Sequence, residues 1–320
     1  MAGVKRTLAV DLAGLELPTP VVIASGCGGT GREVGGLVDP RKVGGIVSRT
    51  ITVDPRKGSP APRVAETPSG IVWETGLQNP GLDAFCEQEL PRLVRGGSVV
   101  FVSIGGRSIE EFVRLTSVLQ DRAEVAAIEV HLSEPDDELG REVIGTHADR
   151  VTEIVGACAR MSRLPVFAKL PHAPALAVEL AVAAVRAGAH GLTLMDSPPA
   201  LAVDPARLRA MLGPVSGRLA GPALRPLTLR SVYDVARTLP DVPIMASGGV
   251  RTGDDAMELL LAGAWAVQVG TAMLVDPAAP IAVARGIARY LKDKNLASPA
   301  DVRGRLRVAG AAPSPAEASS

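Results

Sequence analysis

A (β/α)8 barrel is the fold class this sequence predicts, on three observations. Eight short apolar runs alternate strictly with amphipathic helical stretches between Val21 and Tyr290, which favours a closed parallel barrel over an open doubly wound sheet. The last two runs, Ile244 to Ala246 and Ala266 to Val269, end in the glycine turns Ser247-Gly248-Gly249 and Gly270-Thr271. Loops after strands seven and eight commonly bind phosphate in such barrels. The third observation is bulk: 320 residues with 47% hydrophobic content suffice for one packed core.

Taken in order, Leu8 to Leu12 and Glu16-Leu17 alternate about Gly14 as a small hairpin, placed to plug the bottom of the barrel. Strand one, Val21 to Ala24, runs into Ser25-Gly26-Cys27-Gly28-Gly29, and Gly45 to Arg49 is strand two. Residues 50 to 81 are rich in Pro and Gly and too long for an idle connection, so they are expected to fold over the active face. Helical patterning resumes over Leu82 to Leu93, followed by strand three at Val99 to Ile104 and a helix at Ile109 to Leu119. Strand four, Ala127 to Leu132, opens into Ser133-Glu134-Pro135-Asp136-Asp137-Glu138, and helix Ala148 to Met161 closes the unit. Strand five, Val166 to Leu170, carries Lys169; helix Ala175 to Ala187 leads to strand six, Gly191 to Met195, before Asp196-Ser197.

A second long loop precedes helix Thr228 to Thr238 and strand seven. Thr252 to Asp255 supply capping residues for the next helix, which ends at Gly263, and a final helix spans about Ala282 to Tyr290. Residues 1–308 thus read as one domain. The tail from Ala309, AGAAPSPAEASS, is small, polar and Pro-containing, and is expected to be disordered.

Composition excludes several classes of function. Net charge is zero, so no basic surplus points to nucleic acid or an anionic membrane surface. No segment is long and apolar enough to span a bilayer, and the N-terminus meets Asp11 after too short an apolar run for a signal peptide. Cys27, Cys86 and Cys158 are odd in number and far apart. They show neither zinc-site spacing nor a disulfide framework, so no metal is expected and a reducing cytoplasm is.

The two terminal glycine turns carry the strongest chemical signal. Two parallel strands ending side by side in such turns aim several backbone N–H groups at one spot, which suits the phosphate of a nucleotide-like cofactor. The alternative reading of the same residues is two tight turns with no ligand.

Six stretches then combine: ASGCGGTG at Ala24, PRVAETPSG at Pro62, GLQNPG at Gly76, AGPALRP at Ala220, and the SGGV and VGTA turns. Together they resemble the dihydroorotate dehydrogenase family in its soluble branch, over about Leu8 to Lys294. The resemblance implies FMN at the C-terminal mouth of the barrel, its phosphate held by Gly248, Gly249, Gly270 and Thr271. It places Ala24, Ser25 and Gly26 along the flavin, with Arg49, Ser103 and Gly221 as further contacts. Lys169 falls where the family has a flavin-contacting lysine, whose cation stabilises the reduced, anionic flavin. A homodimer is implied too, and the soluble branch can reach NAD through a flavin and iron–sulfur partner subunit; this chain has no iron–sulfur cysteine set of its own.

The resemblance breaks on the substrate side. The family's strand-two lysine becomes Arg49, and an asparagine in the loop before GLQNPG becomes Trp73. Strand four reads His131-Leu132-Ser133-Glu134-Pro135-Asp136 where the family has Asn-hydrophobe-Ser-Cys-Pro-Asn, with cysteine as catalytic base. Asp196-Ser197 replaces an asparagine followed by Ser or Thr. Glu134 therefore stands as the candidate base, its pKa expected to be raised by burial. Arg49, Trp73, Gly76, Leu77, His131, Asp136, Asp196 and Ser197 are expected around the small-molecule substrate.

Ionised Glu134, Asp136 and Asp196 would make the mouth acidic. A carboxylate about 4 Å from that of orotate costs about 4 kcal/mol at an effective dielectric near 20, comparable to a thousandfold in affinity. Three readings stay open: dihydroorotate oxidation, a paralogue acting on a donor-rich ring, and a flavin-binding barrel without turnover. Cys27 matches a family cysteine that is not the catalytic one and is assigned no chemistry.

Overall fold

A computed structural model of the chain describes residues 7–31, 33, 38–135 and 142–307. Asp136, Asp137, Glu138 and the tail from Ala309 lie outside the described residues. The chain enters through an antiparallel hairpin of β1 (Val10–Leu12) and β2 (Leu15–Leu17). Its two-residue turn puts Ala13 and Gly14 at φ 56° and 82°, the left-handed pair that fits strand twist.

Next come β3 (Val21–Ile23), β4 (Gly45–Val47), the hairpin β5 (Val64–Thr67) and β6 (Gly70–Trp73), and a helical segment. That segment joins α1 (Leu82–Ala84) to α2 (Leu90–Leu93) through a π-helical stretch, Phe85–Glu89. Then follow β7 (Val100–Ile104), α3 (Ile109–Leu119), β8 (Ala127–His131), α4 (Ala148–Met161), β9 (Val166–Lys169), α5 (Ala177–Arg186) and β10 (Gly191–Leu194). An excursion of four short strands, β11 (Pro199–Ala200), β12 (Val203–Asp204), β13 (Arg209–Ala210) and β14 (Gly217–Ala220), leads to α6 (Arg225–Thr238). β15 (Ile244–Ser247), α7 (Gly253–Ala262), β16 (Ala266–Val269) and α8 (Ala279–Asp293) complete the chain.

Eight parallel strands close in the order β10-β15-β16-β3-β4-β7-β8-β9, as the alternation predicts. Because side chains alternate along a strand, the barrel interior is layered, and the layers differ in chemistry. The lowest is apolar: Val22, Val47, Phe101, Phe167 and Met245 pack on Leu12 and Leu17 of the hairpin, which closes the floor. Two residues further along the strands the layer turns polar, with Ser103, Glu129, Lys169, Thr193 and Gln268 all buried. The alternate residues face outward into the main core, where Val130, Leu192 and Val267 meet Val155 of α4, Val232 of α6 and Leu260 of α7.

The two long excursions are more ordered than loops. β5, β6, β14 and β11 form one antiparallel sheet, in the order β11-β14-β6-β5. One face of this flap, carrying Ala65 and Val72, packs on Ala202 and Leu212. The pairing sets Trp73 opposite Arg218, so the two side chains share a face of the sheet. The sequence offered no strand signal for β14, whose four residues depend on β6 and β11 for their hydrogen bonds.

Candidate active site

Each glycine turn at the end of β15 and β16 is held by its neighbours. Thr252 and Asp255 form a capping box on α7, the carboxylate of Asp255 accepting from the N–H groups of Arg251 and Thr252 at 2.9 Å. The box satisfies the N–H groups of Arg251, Thr252 and Asp255 and does not reach the glycine turn before them. Among the described residues, the N–H groups of Gly248, Gly249, Gly270 and Thr271 find no acceptor in the chain. Gly249 is at φ 79°, and a Cβ there would stand 2.6 Å from the backbone N of Arg225, so the turn tolerates no side chain. Unpaired donors in a cradle this close fit a phosphate.

Above the apolar floor lies the buried polar layer. Lys169 Nζ is 3.5 Å from Glu129 Oε1. The other oxygen of Glu129 accepts from Thr193 Oγ1 and Gln268 Nε2, each at 2.9 Å. Burial would strip the proton from Lys169, but the carboxylates of Glu129 and Asp196 reverse that and raise its pKa. The site therefore contains a permanent, buried cation. Glu129, Thr193 and Gln268 were not singled out from sequence. A glutamate in the middle of the apolar run AIEVH was the available signal, since an unpaired charge is almost never buried.

One layer higher, at the mouth, His131 sits between two carboxylates. Its Nε2 is 3.4 Å from Glu134 Oε1 and its Nδ1 is 3.6 Å from Asp196 Oδ2. Two arginines brought by the excursions complete the group. Arg56 lies 3.5 Å from Glu134 Oε2, while Arg218 on β14 lies 3.7 Å from Glu134 Oε1 and 3.8 Å from Asp196 Oδ2. Arg218 also donates to the carbonyls of Ser133 and Ser197, tying the flap to the loops after β8 and β10.

Two expectations need correction here. Burial does act to raise the Glu134 pKa, but the hydrogen bond and charge of His131, with Arg218 and Arg56, outweigh it, and the carboxyl is held below its ordinary range. Asp196 behaves likewise: burial is overcome by His131, Lys169 and Arg218, so the carboxyl stays ionised well below the usual carboxylate range. Among the described residues the charges of the mouth are also balanced. Glu129, Glu134, Asp196 and Glu89 are each matched by a cation among Lys169, Arg56, Arg218 and Arg49. Arg218 was missed because nothing in the sequence of a long loop announces which residue will turn inward.

The remaining predicted residues divide. Ser25 donates to the Ser48 carbonyl at 2.8 Å, beside Ala24 and Gly26 in the loop after β3. Ser103 bonds Thr50 at 3.0 Å inside the barrel. Arg49, just past the end of β4, places Nε 3.4 Å from Glu89 Oε2 and donates from Nη1 to the Gln78 carbonyl at 3.3 Å. Gly76 gives its N–H to Glu74 at 2.7 Å, and Leu77 follows at φ 49°. Asn79 clasps this loop, accepting from Gly81 N at 2.9 Å and donating to Thr52 Oγ1 at 2.9 Å. Gly221 stands where β14 meets the β5–β6 turn. Asp136 falls outside the described residues. Burial pushes the Cys27 thiol up to about 11, so it offers no thiolate near neutral pH. A cavity of about 380 Å³ lies elsewhere, on the outer wall against Ile23, Ile46 and Leu93.

Glycine turns with unpaired N–H groups after strands seven and eight, a buried lysine below the mouth and a flap across it are the features of a cofactor-dependent (β/α)8-barrel oxidoreductase. The chain belongs to the dihydroorotate dehydrogenase family, whose sequence profile it matches over residues 7–291. It is 39% identical over 302 residues to the dihydroorotate dehydrogenase B (NAD(+)) catalytic subunit of Alkaliphilus metalliredigens (strain QYMF), covering 94% of this chain and 99% of that one. To the protein of the same name from Desulforudis audaxviator (strain MP104C) it is 41% identical over 292 residues, covering 91% and 95%. The structure of Eimeria tenella dihydroorotate dehydrogenase in complex with ferulenol shares the fold, with a TM-score of 0.76 at 22% identity over 93% of this chain and 88% of that one. FMN is the family's cofactor, and the unpaired turn donors and buried Lys169 fit it.

Proposed function

We propose that this chain is an FMN-dependent dehydrogenase that oxidises dihydroorotate to orotate in pyrimidine biosynthesis, as one catalytic domain over residues 1–308. The observation that carries the reading is the pairing of unsatisfied N–H groups at Gly248, Gly249, Gly270 and Thr271 with the buried cation of Lys169 in the same barrel end. The turns hold the phosphate. Ala24, Ser25, Gly26, Ser103 and Gly221 line the cofactor, and Lys169 holds positive charge where negative charge develops on the reduced ring. FMN, when bound, supplies the two-electron acceptor. Trp73, Leu77 and Ser197 enclose the substrate ring beneath the flap, which excludes water, and the His131–Glu134 pair takes the proton from carbon.

The names of the relatives support a partner subunit that passes electrons towards NAD. A homodimer and a cytoplasmic location complete this reading; among the described residues no helix is long and apolar enough to cross a membrane. One observation favours a second substrate. Arg49, Arg56 and Arg218 are all held by carboxylates of the chain itself, so an anionic substrate must compete for them, whereas a neutral donor-rich ring need not.

The test is anaerobic mixing of the FMN-loaded protein with dihydroorotate. Rapid loss of the oxidised flavin absorbance is expected. A flavin that stays oxidised with dihydroorotate yet is bleached by dithionite would transfer the assignment to the second substrate class.

A further inference from the structure

We propose that Glu129, held at the centre of the barrel beside Lys169, is a positioning residue that sets how readily the bound flavin is reduced. Its carboxylate offsets the positive charge of Lys169 and so lowers the flavin's affinity for electrons. The proposal rests on the FMN reading above and names the part of the barrel that tunes it.

The placement comes from the closed sheet. Glu129 lies in the middle of β8 and is wholly buried. In the strand order β16 stands four strands from β8 in either direction, so the two face each other across the barrel. Gln268 on β16 nonetheless reaches Glu129 Oε2 with its Nε2 at 2.9 Å, and Thr193 on β10 donates to the same oxygen at 2.9 Å. The carboxylate is therefore central, gripped from two strands other than its own. That contact also fixes the amide of Gln268, since the opposite orientation would set oxygen against oxygen. Lys169 on β9 takes the other side, with Nζ 3.5 Å from Glu129 Oε1.

Two hydroxyl and amide donors and one ammonium explain how a carboxylate survives at 0% exposure, because buried charge is tolerated only when paired. The two oxygens are served unequally. Oε2 accepts two hydrogen bonds, whereas Oε1 accepts none and has only the ammonium, farther away than in a good N–H···O bond. The protons of Lys169 thus stay available to a group at the mouth, while the charge that carries them is partly cancelled from below. The layer beneath Glu129 is apolar, with Phe101 and Phe167, so no countercharge reaches it from the floor.

Glu129 acts on the cofactor in two opposed ways. With Asp196 it keeps Lys169 protonated, which favours a reduced, anionic ring; by its own charge it weakens the field that the ring feels. Asp196 remains to do the first when Glu129 is removed, so the second is what removal exposes. Charges in such an interior are screened far less than in water. A purely architectural residue would behave otherwise. Bridging the strands needs only shape and hydrogen bonds, which glutamine supplies nearly as well as glutamate, and the difference between them is the charge.

The experiment measures the midpoint potential of FMN bound to the full-length chain at about pH 7. The protein is equilibrated anaerobically with a reference dye of known potential, and the ratio of reduced to oxidised flavin is read; no substrate is needed. At a fixed potential Glu129→Gln should raise that ratio about tenfold over wild type, a shift of about 30 mV for a two-electron couple. Thr193→Val, close to isosteric, takes one donor from Oε2 and leaves the charge in place, so it should lower the ratio about threefold. A Glu129→Gln ratio within about twofold of wild type, or below it, overturns the proposal, as does a rise in both variants, the mark of general loosening. If Glu129→Gln yields no folded flavoprotein, Thr193→Val decides: a lowered ratio supports the proposal, and an unchanged or raised one overturns it. A wild-type chain that takes up no FMN would bring down the cofactor reading and this inference with it, whereas bound FMN with an unmoved potential brings down this inference alone.

Discussion

Asp196 shows how much one side chain's setting changes its chemistry. Read alone, an aspartate in place of an amide is an added negative charge; in the fold it is one corner of a group with His131, Lys169 and Arg218. Its folded pKa, like that of Glu134, is depressed, so the unfolded chain binds the more protons in acid. The stability these groups contribute is present above the unfolded carboxylate range, near pH 4, and is lost as pH falls through it towards the folded value. Asp196→Asn should therefore flatten the acid limb of stability between about pH 5 and pH 3. At neutral pH it should cost about 1–3 kcal/mol, since three partners lose a charge-assisted contact. Urea unfolding across that pH range checks both, and an unchanged acid limb would deny Asp196 this role. The residue scale is also where sequence reading failed most clearly. Glu134, His131, Lys169 and Asp196 were all found, but the arginines that neutralise them come from residues 50–81 and the stretch after β10, where side-chain direction is set by tertiary pairing.

Among the elements, the barrel strands and their helices were legible, some to the residue, because each carries its own period: α3, α4 and β16 have the predicted bounds, while α6 begins at Arg225 rather than Thr228. The flap was not, since β5, β6, β11 and β14 are two to four residues each and exist only as partners of one another. Its hinge is a contact between glycines. Gly221 is at φ 119°, and a Cβ there would stand 2.6 Å from the Cα of Gly70. Gly221→Ala should thus pry β14 from the β5–β6 turn, displacing Arg218 from Ser133 and Ser197. The expected outcome is a raised KM for dihydroorotate with faster limited proteolysis within residues 198–221, and a lowered FMN content because Gly221 also lines the cofactor. Proteolysis and KM both unchanged would show that the flap does not depend on this contact. The last helix begins at Ala279 rather than near Ala282, because Pro280 at its first turn needs no hydrogen-bonded N–H.

On the scale of the whole molecule, the layered interior divides labour along the barrel axis. The hairpin plug was foreseen from its alternation about Gly14; that it seals a wholly apolar layer beneath a polar one follows only from the closed register. Leu17 is fully buried in that floor, so Leu17→Ala should cost about 2–5 kcal/mol through lost burial and the void left behind. Chemical denaturation measures it, and a loss under 1 kcal/mol would mean that the floor closes up around the smaller side chain.

The floor has a further consequence, for traffic. Protons move through proteins along chains of polar groups and water, and Leu12, Leu17, Phe101 and Phe167 provide none. The barrel is insulated at one end. Whatever proton the mouth collects must leave past the flap, by the doorway that admits substrate and releases product. Emptying the site and resetting its acid–base state thus become a single event, and the enzyme cannot discharge its proton while the doorway stays shut.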